Sequence, residues 1–238
     1  MFHIDITIDI ETCALTSHAS ILQVACVAWD RFARDEKTLF LNTCHPETKH
    51  FLRNCNLNEQ FARGCFDFSQ DTTLWWGKQH KEAQKSVSGL IQDLKPEPLA
   101  EVLLDLHDWI KRLMEDNNAK TLTCWSQGTD FDIPILRHAA GVYHLEHTLP
   151  SSLHHSQLRD CRTAIYELTA LHLQSAMAKD EDNEVILDML GDPLMAYRML
   201  PGLPESFGKE DTLKHTALYD AVRSSWYTWQ ALKAIRQH

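Results

Sequence analysis

Asp9-Ile10-Glu11 closes an alternating apolar run near the start of the chain. Residues two apart on a strand face the same side, so both carboxylates can reach one cation. A charged strand end before a turn explains the pair equally well. Further on, Gly128-Thr129-Asp130-Phe131-Asp132 follows a second apolar run and opens a helical pattern. That pattern presents Asp132 from the first helical turn, with Phe131 anchored in the core and Asp130 suited to the N-cap. His215 and Asp220 stand at the start of the last helical segment. Their separation is about one and a half helical turns, so the two side chains need not touch. Asp220 suits a metal ligand and His215 a group that reaches water. A structural histidine on an apolar-striped helix is the plainer alternative.

Four carboxylates from three elements suit a two-metal centre. Hard oxygen ligands favour Mg²⁺ or Mn²⁺. Two such ions, roughly 3.5–4 Å apart, clamp the attacking and leaving oxygens of a phosphodiester. Histidine titrates near neutral pH and suits the proton transfer. Zinc fits less well, because His144, His147, His154 and His155 are dispersed and form no compact His/Cys cluster.

These residues need a frame. Residues 2–10 and 21–29 read as strands and 38–43 as a third, making a β-meander joined by a polar turn over 12–20. The stretch 44–70 is irregular, with a helix over 56–63. Asp71-Thr72-Thr73 could cap a short helix carrying Leu74, Trp75 and Trp76. Residues 81–90 are helical. Over 99–116, Leu99, Val102, Leu103, Leu106, Trp109, Ile110 and Leu113 recur at helical spacing. A fourth strand over 120–126, a helix over 131–140 ending near Gly141, a short strand over 158–161 and helices over 162–173 and 212–235 complete the pattern. Strands alternating with helices predict a single α/β domain over residues 1–238, with an insertion or mobile flap at 178–210.

The chain has 238 residues, 44% of them hydrophobic, enough for one sizeable core. Its net charge of −10 argues against a broad nucleic-acid-binding face and leaves room for a local, metal-assisted site. Seven scattered cysteines without a CxxC pair read as free thiols of a reducing, cytoplasmic compartment. No membrane partner is expected, because no apolar run reaches spanning length. No signal peptide is expected either, because the strand pattern begins at once.

The order Asp-x-Glu, Asp, His-x4-Asp, filled here by Asp9, Glu11, Asp132, His215 and Asp220, resembles the histidine-type (DEDDh) 3′→5′ exonucleases. The tyrosine branch would place Tyr where this chain has Thr216. A closer similarity is to the subgroup of phage exodeoxyribonuclease A and the mycobacterial exoribonuclease-like domain. It rests on Trp75-Trp76-x-x-Gln79, Glu82-Ala83, the Gly128–Asp132 turn and Arg159-Asp160-Cys161-Arg162-Thr163. Residues 178–210 match no motif of the family. The resemblance implies a ribonuclease-H-like fold, a mixed five-stranded sheet flanked by helices. It implies hydrolysis of single-stranded nucleic acid from a free 3′ end, releasing 5′-mononucleotides, and it admits a homodimer. Asp9, Glu11, Asp132 and Asp220 would hold two Mg²⁺, with Mn²⁺ able to substitute, and His215 would orient or deprotonate the water. The subgroup holds DNA and RNA enzymes. The phage side favours single-stranded DNA, with an exoribonuclease or oligoribonuclease as the alternative. A catalytically inactive binding module is disfavoured, because all five positions are filled. A hydrolase of small nucleotides is the remaining alternative.

Six residues are candidates for substrate contact. Thr12 either bonds the terminal sugar or phosphate or closes a turn. Trp75 and Trp76, adjacent on a helix, point different ways, so one stacks on a base and one is buried. Gln79 lies one turn on and faces either nucleotide or solvent. Arg159 and Arg162 flank Asp160, and one of them contacts phosphate or forms a salt bridge. Lys78, Lys81 and Lys85 make either a guiding basic face or a solvated one.

Overall fold

The computed structural model describes residues 3–41, 50–89, 94–147, 155–176, 195–207 and 213–236. Five strands make one mixed sheet in the order β3-β2-β1-β4-β5. They are β1 His3–Thr12, β2 Ile21–Trp29, β3 His50–Asn54, β4 Thr121–Ser126 and β5 Leu158–Asp160. The first three form the antiparallel meander, while β1 pairs parallel with β4 and β4 parallel with β5. The helices are α1 Glu36–Leu39, α2 Leu57–Arg63, α3 Gln70–Trp76, α4 Lys81–Val87 and α5 Leu99–Asp116. They continue with α6 Asp132–Val142, α7 Cys161–Ala176, α8 Met195–Met199 and α9 Ala217–Arg236.

Strand β1 explains the layering. Ile4, Ile6, Ile8 and Ile10 alternate onto one face and join the apolar stripe of α5 and Ile133, Ile135 and Leu136 of α6 in one core. The opposite face carries Asp5, Thr7, Asp9 and Glu11 and lies under α9, where the Ser225 hydroxyl donates to Thr7 Oγ1 at 2.8 Å. A second core of Trp29, Trp125, Ile165, Tyr197, Trp226 and Trp229 joins β2 and β4 to α7, α8 and α9. Helices thus cover both faces, and β2 is buried along its whole length.

The structure corrects five expectations. The third strand is His50–Asn54, not 38–43. Asp35 caps Glu36–Leu39 into a helical turn by accepting from Thr38 N at 3.0 Å, and only Phe40 bridges to β2, opposite Trp29. Strand β1 runs on through Thr12, past the expected turn. Helix α3 is capped by Ser69, whose hydroxyl accepts from Thr72 N, so Asp71 lies inside the first turn. Asp130 does not cap α6; Phe131 precedes that helix and makes no side-chain cap bond. The last helix begins at Ala217, with His215 in the turn before it. Of the expected 178–210 insertion, Met195–Met199 is helical and Glu205–Phe207 a 3-10 turn; residues 178–194 and 208–210 lie outside the described residues.

Candidate active site

The acidic residues converge where the polar face of β1 runs out from under α9. Oxygen atoms of Asp9, Glu11 and Asp220 lie within 4.8 Å of one another. Asp132, buried in the first turn of α6, completes the group from the neighbouring strand's end. Parallel pairing of β1 with β4 puts the turn after β4 beside the end of β1, which is why residues more than a hundred positions apart meet here.

The electrostatics are one-sided. Burial pushes the Asp9 carboxyl well above the usual carboxylate range, and Asp132, Glu11 and Asp220 push it further. Burial raises Glu11 likewise, with Asp220 and Asp132 adding to it. Asp132 is also raised by burial; Arg162 opposes the rise, Asp160 and Asp130 reinforce it, and the Ile10 amide works against it. Among the described residues, the charges that shift Asp9 and Glu11 are carboxylates. Crowded oxygen donors held against their own repulsion fit a hard divalent cation, which would relieve what the chain leaves uncompensated. Asp9, Glu11, Asp132 and Asp220 are the residues that could hold it.

His215 has a left-handed backbone, φ 65°, unusual for a residue with a side chain. Its N–H donates to Asp220 Oδ2 at 3.1 Å, so the carboxylate reaches back over the start of α9 and fixes the turn. The two residues therefore do touch, through the His215 backbone. The ring is half-buried and meets Trp75 edge-on at 4.8 Å between centroids. Burial lowers its pKa below the ordinary 6.5, and Lys214 and Arg223 lower it further, so at neutral pH the imidazole is free to accept a proton.

Beside the carboxylates lies a cavity of about 480 Å³ walled by Ile10, Glu11, Thr12, Leu15, Trp75 and Phe131, among others. The tryptophans divide as adjacent helical residues must. Trp76 is 8% exposed and donates from Nε1 to the Thr12 carbonyl at 2.9 Å, docking α3 on the end of β1. Trp75 is 40% exposed and faces the cavity. Thr12 lines the cavity too, but its hydroxyl is spent on the Ala14 carbonyl at 2.7 Å, the turn-closing role. Gln79 is not brought to the cavity wall; its amide folds back to the Trp75 carbonyl at 3.0 Å. Arg159 is exposed and bonds the nearby carbonyls of Ser156 and Leu158. Arg162 lies closer to the acids and donates to the Gln127 carbonyl at 2.9 Å. Lys78, Lys81 and Lys85 are exposed, and Lys85 pairs with Glu82 at 3.0 Å. Leu15, 79% exposed on the cavity rim, was not among the sequence candidates, and nothing in a lone leucine within a turn marks it.

A family model described as the 3′-5′ exoribonuclease Rv2179c-like domain matches residues 4–189. No curated protein matches the chain. Among solved structures, cell-death related nuclease 4 (CRN-4) superposes with a TM-score of 0.55 at 13% identity, over 98% of this chain and 64% of that one. A product-bound exonuclease I superposes at 0.50 and 13% identity, over 100% of this chain and 44% of that one. This chain thus spans less than two-thirds of either relative. These likenesses establish the fold alone, a ribonuclease-H-like α/β sheet. The chain belongs to the Rv2179c-like 3′-5′ exoribonuclease domain family. That family is described as a 3′-5′ exoribonuclease domain, and this chain carries an acidic cluster able to hold a divalent cation.

Proposed function

We propose that this domain removes 5′-mononucleotides one at a time from the free 3′ end of single-stranded nucleic acid, with RNA preferred over DNA. The observation that carries the reading is the convergence of Asp9, Glu11 and Asp220, with oxygens within 4.8 Å of one another, charge-coupled to Asp132 and opening on a cavity walled by Trp75. The family description favours RNA, whereas the phage-like motifs favoured DNA.

Asp9, Glu11, Asp132 and Asp220 hold two Mg²⁺, for which Mn²⁺ substitutes. When bound, the cations supply neutralisation of the phosphate charge and acidify water. His215 takes up the proton of the attacking water on its imidazole, which its lowered pKa keeps deprotonated at neutral pH. Trp75 offers the terminal base a stacking face and steadies the imidazole at the same time. Leu15 and Phe131 close the apolar walls around the base. Arg162, near Asp132, is available to the phosphate next in line. The chain acts as a single domain in the cytoplasm. Among the described residues no helix is long and apolar enough to cross a membrane.

A digestion series tests this. Matched 5′-labelled single-stranded RNA and DNA are incubated with Mg²⁺, Mn²⁺ or EDTA, using the wild type and His215→Ala. The expected result is a ladder shortening from the 3′ end, faster on RNA, abolished by EDTA and slowed about 10²–10⁴-fold in the variant. DNA degraded faster than RNA would reverse the sugar assignment. Intact polymers, or a variant at full rate, would overturn the mechanism.

A further inference from the structure

Asp160 ends β5, next to β4 in register with Ser126. Its Oδ2 accepts from the backbone amides of Gly128 at 2.9 Å and Thr129 at 3.1 Å. Its Oδ1 accepts from Thr163 N at 2.7 Å in the first turn of α7. Two residues on, Arg162 Nη2 donates to the Gln127 carbonyl at 2.9 Å. That carbonyl and the Gly128 N–H belong to one peptide unit, so the segment 160–162 grips both edges of a single peptide plane.

The gripped turn leads to Asp132. Gly128 sits at φ +104°, open to glycine and strained for other residues, and a Cβ there would stand 3.1 Å from Arg162 Nη2 and 3.4 Å from Asp130 Oδ1. The Gly128 carbonyl accepts from Phe131 N at 2.9 Å and from Asp132 N at 3.4 Å. A continuous chain of hydrogen bonds therefore runs from the Asp160 carboxylate through the turn to the backbone of Asp132. Helix α6 has no side-chain cap of its own to fix its first residue. The Gly128 carbonyl meets the first amides of that helix instead, and the amides of Gly128 and Thr129 donate to Asp160.

We propose that Asp160 is a positioning residue of the metal centre: by clamping the 127–129 turn it sets where the Asp132 carboxylate stands relative to Asp9 and Glu11. The proposal rests on the metal reading given above. It treats Asp160 as a residue that acts through Asp132 and touches neither cation nor substrate.

The test compares the full chain with Asp160→Asn and Asp160→Ala, with Asp35→Ala as a control that removes a helix cap remote from the site. Asparagine has one acceptor oxygen and cannot serve both the turn and Thr163. Three quantities are read: Mn²⁺ affinity by calorimetry without substrate, kcat and KM on a labelled oligonucleotide, and exchange protection of the Gly128 and Thr129 amides. Both Asp160 variants should weaken Mn²⁺ binding about 10–100-fold and lower kcat in proportion, as loss of an outer hydrogen-bond partner does. KM should stay within about twofold while the two amides lose protection. Asp35→Ala should lower the melting temperature and leave all three unchanged. If the Asp160 variants melt lower but keep wild-type Mn²⁺ affinity and kcat, the residue is only a helix cap and the proposal is overturned. If the wild type itself takes up no Mn²⁺, the metal reading falls, and intact protection of the two amides in Asp160→Ala would overturn the clamp separately.

Discussion

Asp9 carries the charge problem of this protein in its sharpest form. Burial and three carboxylates raise its pKa, and burial with Asp220 and Asp132 raises Glu11. The folded chain therefore holds protons that the unfolded chain has released. From about pH 4 upward, where free carboxylates ionise, the metal-free fold loses stability as pH rises toward the raised values. Below about pH 4 both states are protonated and the effect vanishes. Asp9→Asn removes one charge from the cluster. In EDTA at pH 7 it should raise the melting temperature by about 2–4 °C, the equivalent of ~1 kcal/mol for a chain of this size. The gain should shrink as the buffer is taken to pH 4. In millimolar Mg²⁺ the order should invert, because only the wild type binds the ions tightly enough to be stabilised by them. A variant that melts below the wild type in EDTA would show that the cluster is not under electrostatic strain.

Strand β1 shows how an element divides stability from function along one face. Its polar residues alternate with the buried isoleucines and meet different neighbours as the strand proceeds. Asp5 is saturated: Arg31 approaches it with Nε at 2.8 Å and with Nη2, and Trp125 donates from Nε1 at 2.7 Å. Thr7 accepts from Trp29 Nε1 at 3.0 Å and from Ser225. Only past Thr7 does the face open, and there Asp9 and Glu11 are pushed upward by neighbouring carboxylates. Asp5→Ala should thus leave a guanidinium and an indole N–H without their acceptor and cost about 3–5 kcal/mol, lowering the melting point by roughly 10 °C. Turnover at 20 °C should stay within twofold, since the acidic cluster lies further along the strand. A fall of less than about 2 °C would mean that Arg31 and Trp125 find water instead.

The same strand shows what was legible in the sequence. Asp9 and Glu11 could be read because strand alternation is local, and Asp132 because a turn leading into a helix is local. The split between Trp75 and Trp76 follows from helical geometry alone. Residues 38–43 misled because Leu39-Phe40-Leu41 has strand-like apolarity, while the deciding contact, Asp35 with Thr38, is a capping bond that competes with it. His50–Asn54 is short and pairs with a strand twenty-odd residues earlier, which no local period reveals. Asp160 looked like a charge between two arginines. Its meaning lies in amides 31 and 32 positions away, which only the β4–β5 register brings near. Arg31 beside Asp5 depends in the same way on how β1 and β2 pair.

At the scale of the whole molecule, a net charge of −10 must be reconciled with the polyanionic substrate proposed for it. Lys78 and Lys81 are exposed, but Lys85 is engaged by Glu82, and the centre of the site is itself acidic. On the proposed function, attraction comes from cations at the carboxylates and from Arg162 near Asp132, and not from these lysines. Salt dependence separates these two cases. Each phosphate neutralised on a single strand contributes about −0.7 to the slope of log K against log salt. A local grip on two or three phosphates predicts a slope of about −2, far shallower than that of a protein with an extended basic face. Fluorescence anisotropy of a 5′-labelled oligonucleotide with His215→Ala in Mg²⁺, titrated in KCl from 50 to 200 mM (roughly the physiological bracket), measures it. Removing Mg²⁺ should then cost more affinity than the whole salt range. A slope steeper than about −5 would mean that the strand lies along positive charge beyond the catalytic cleft, and that the acidic surface hides a binding path which neither the lysines of α4 nor Arg162 accounts for.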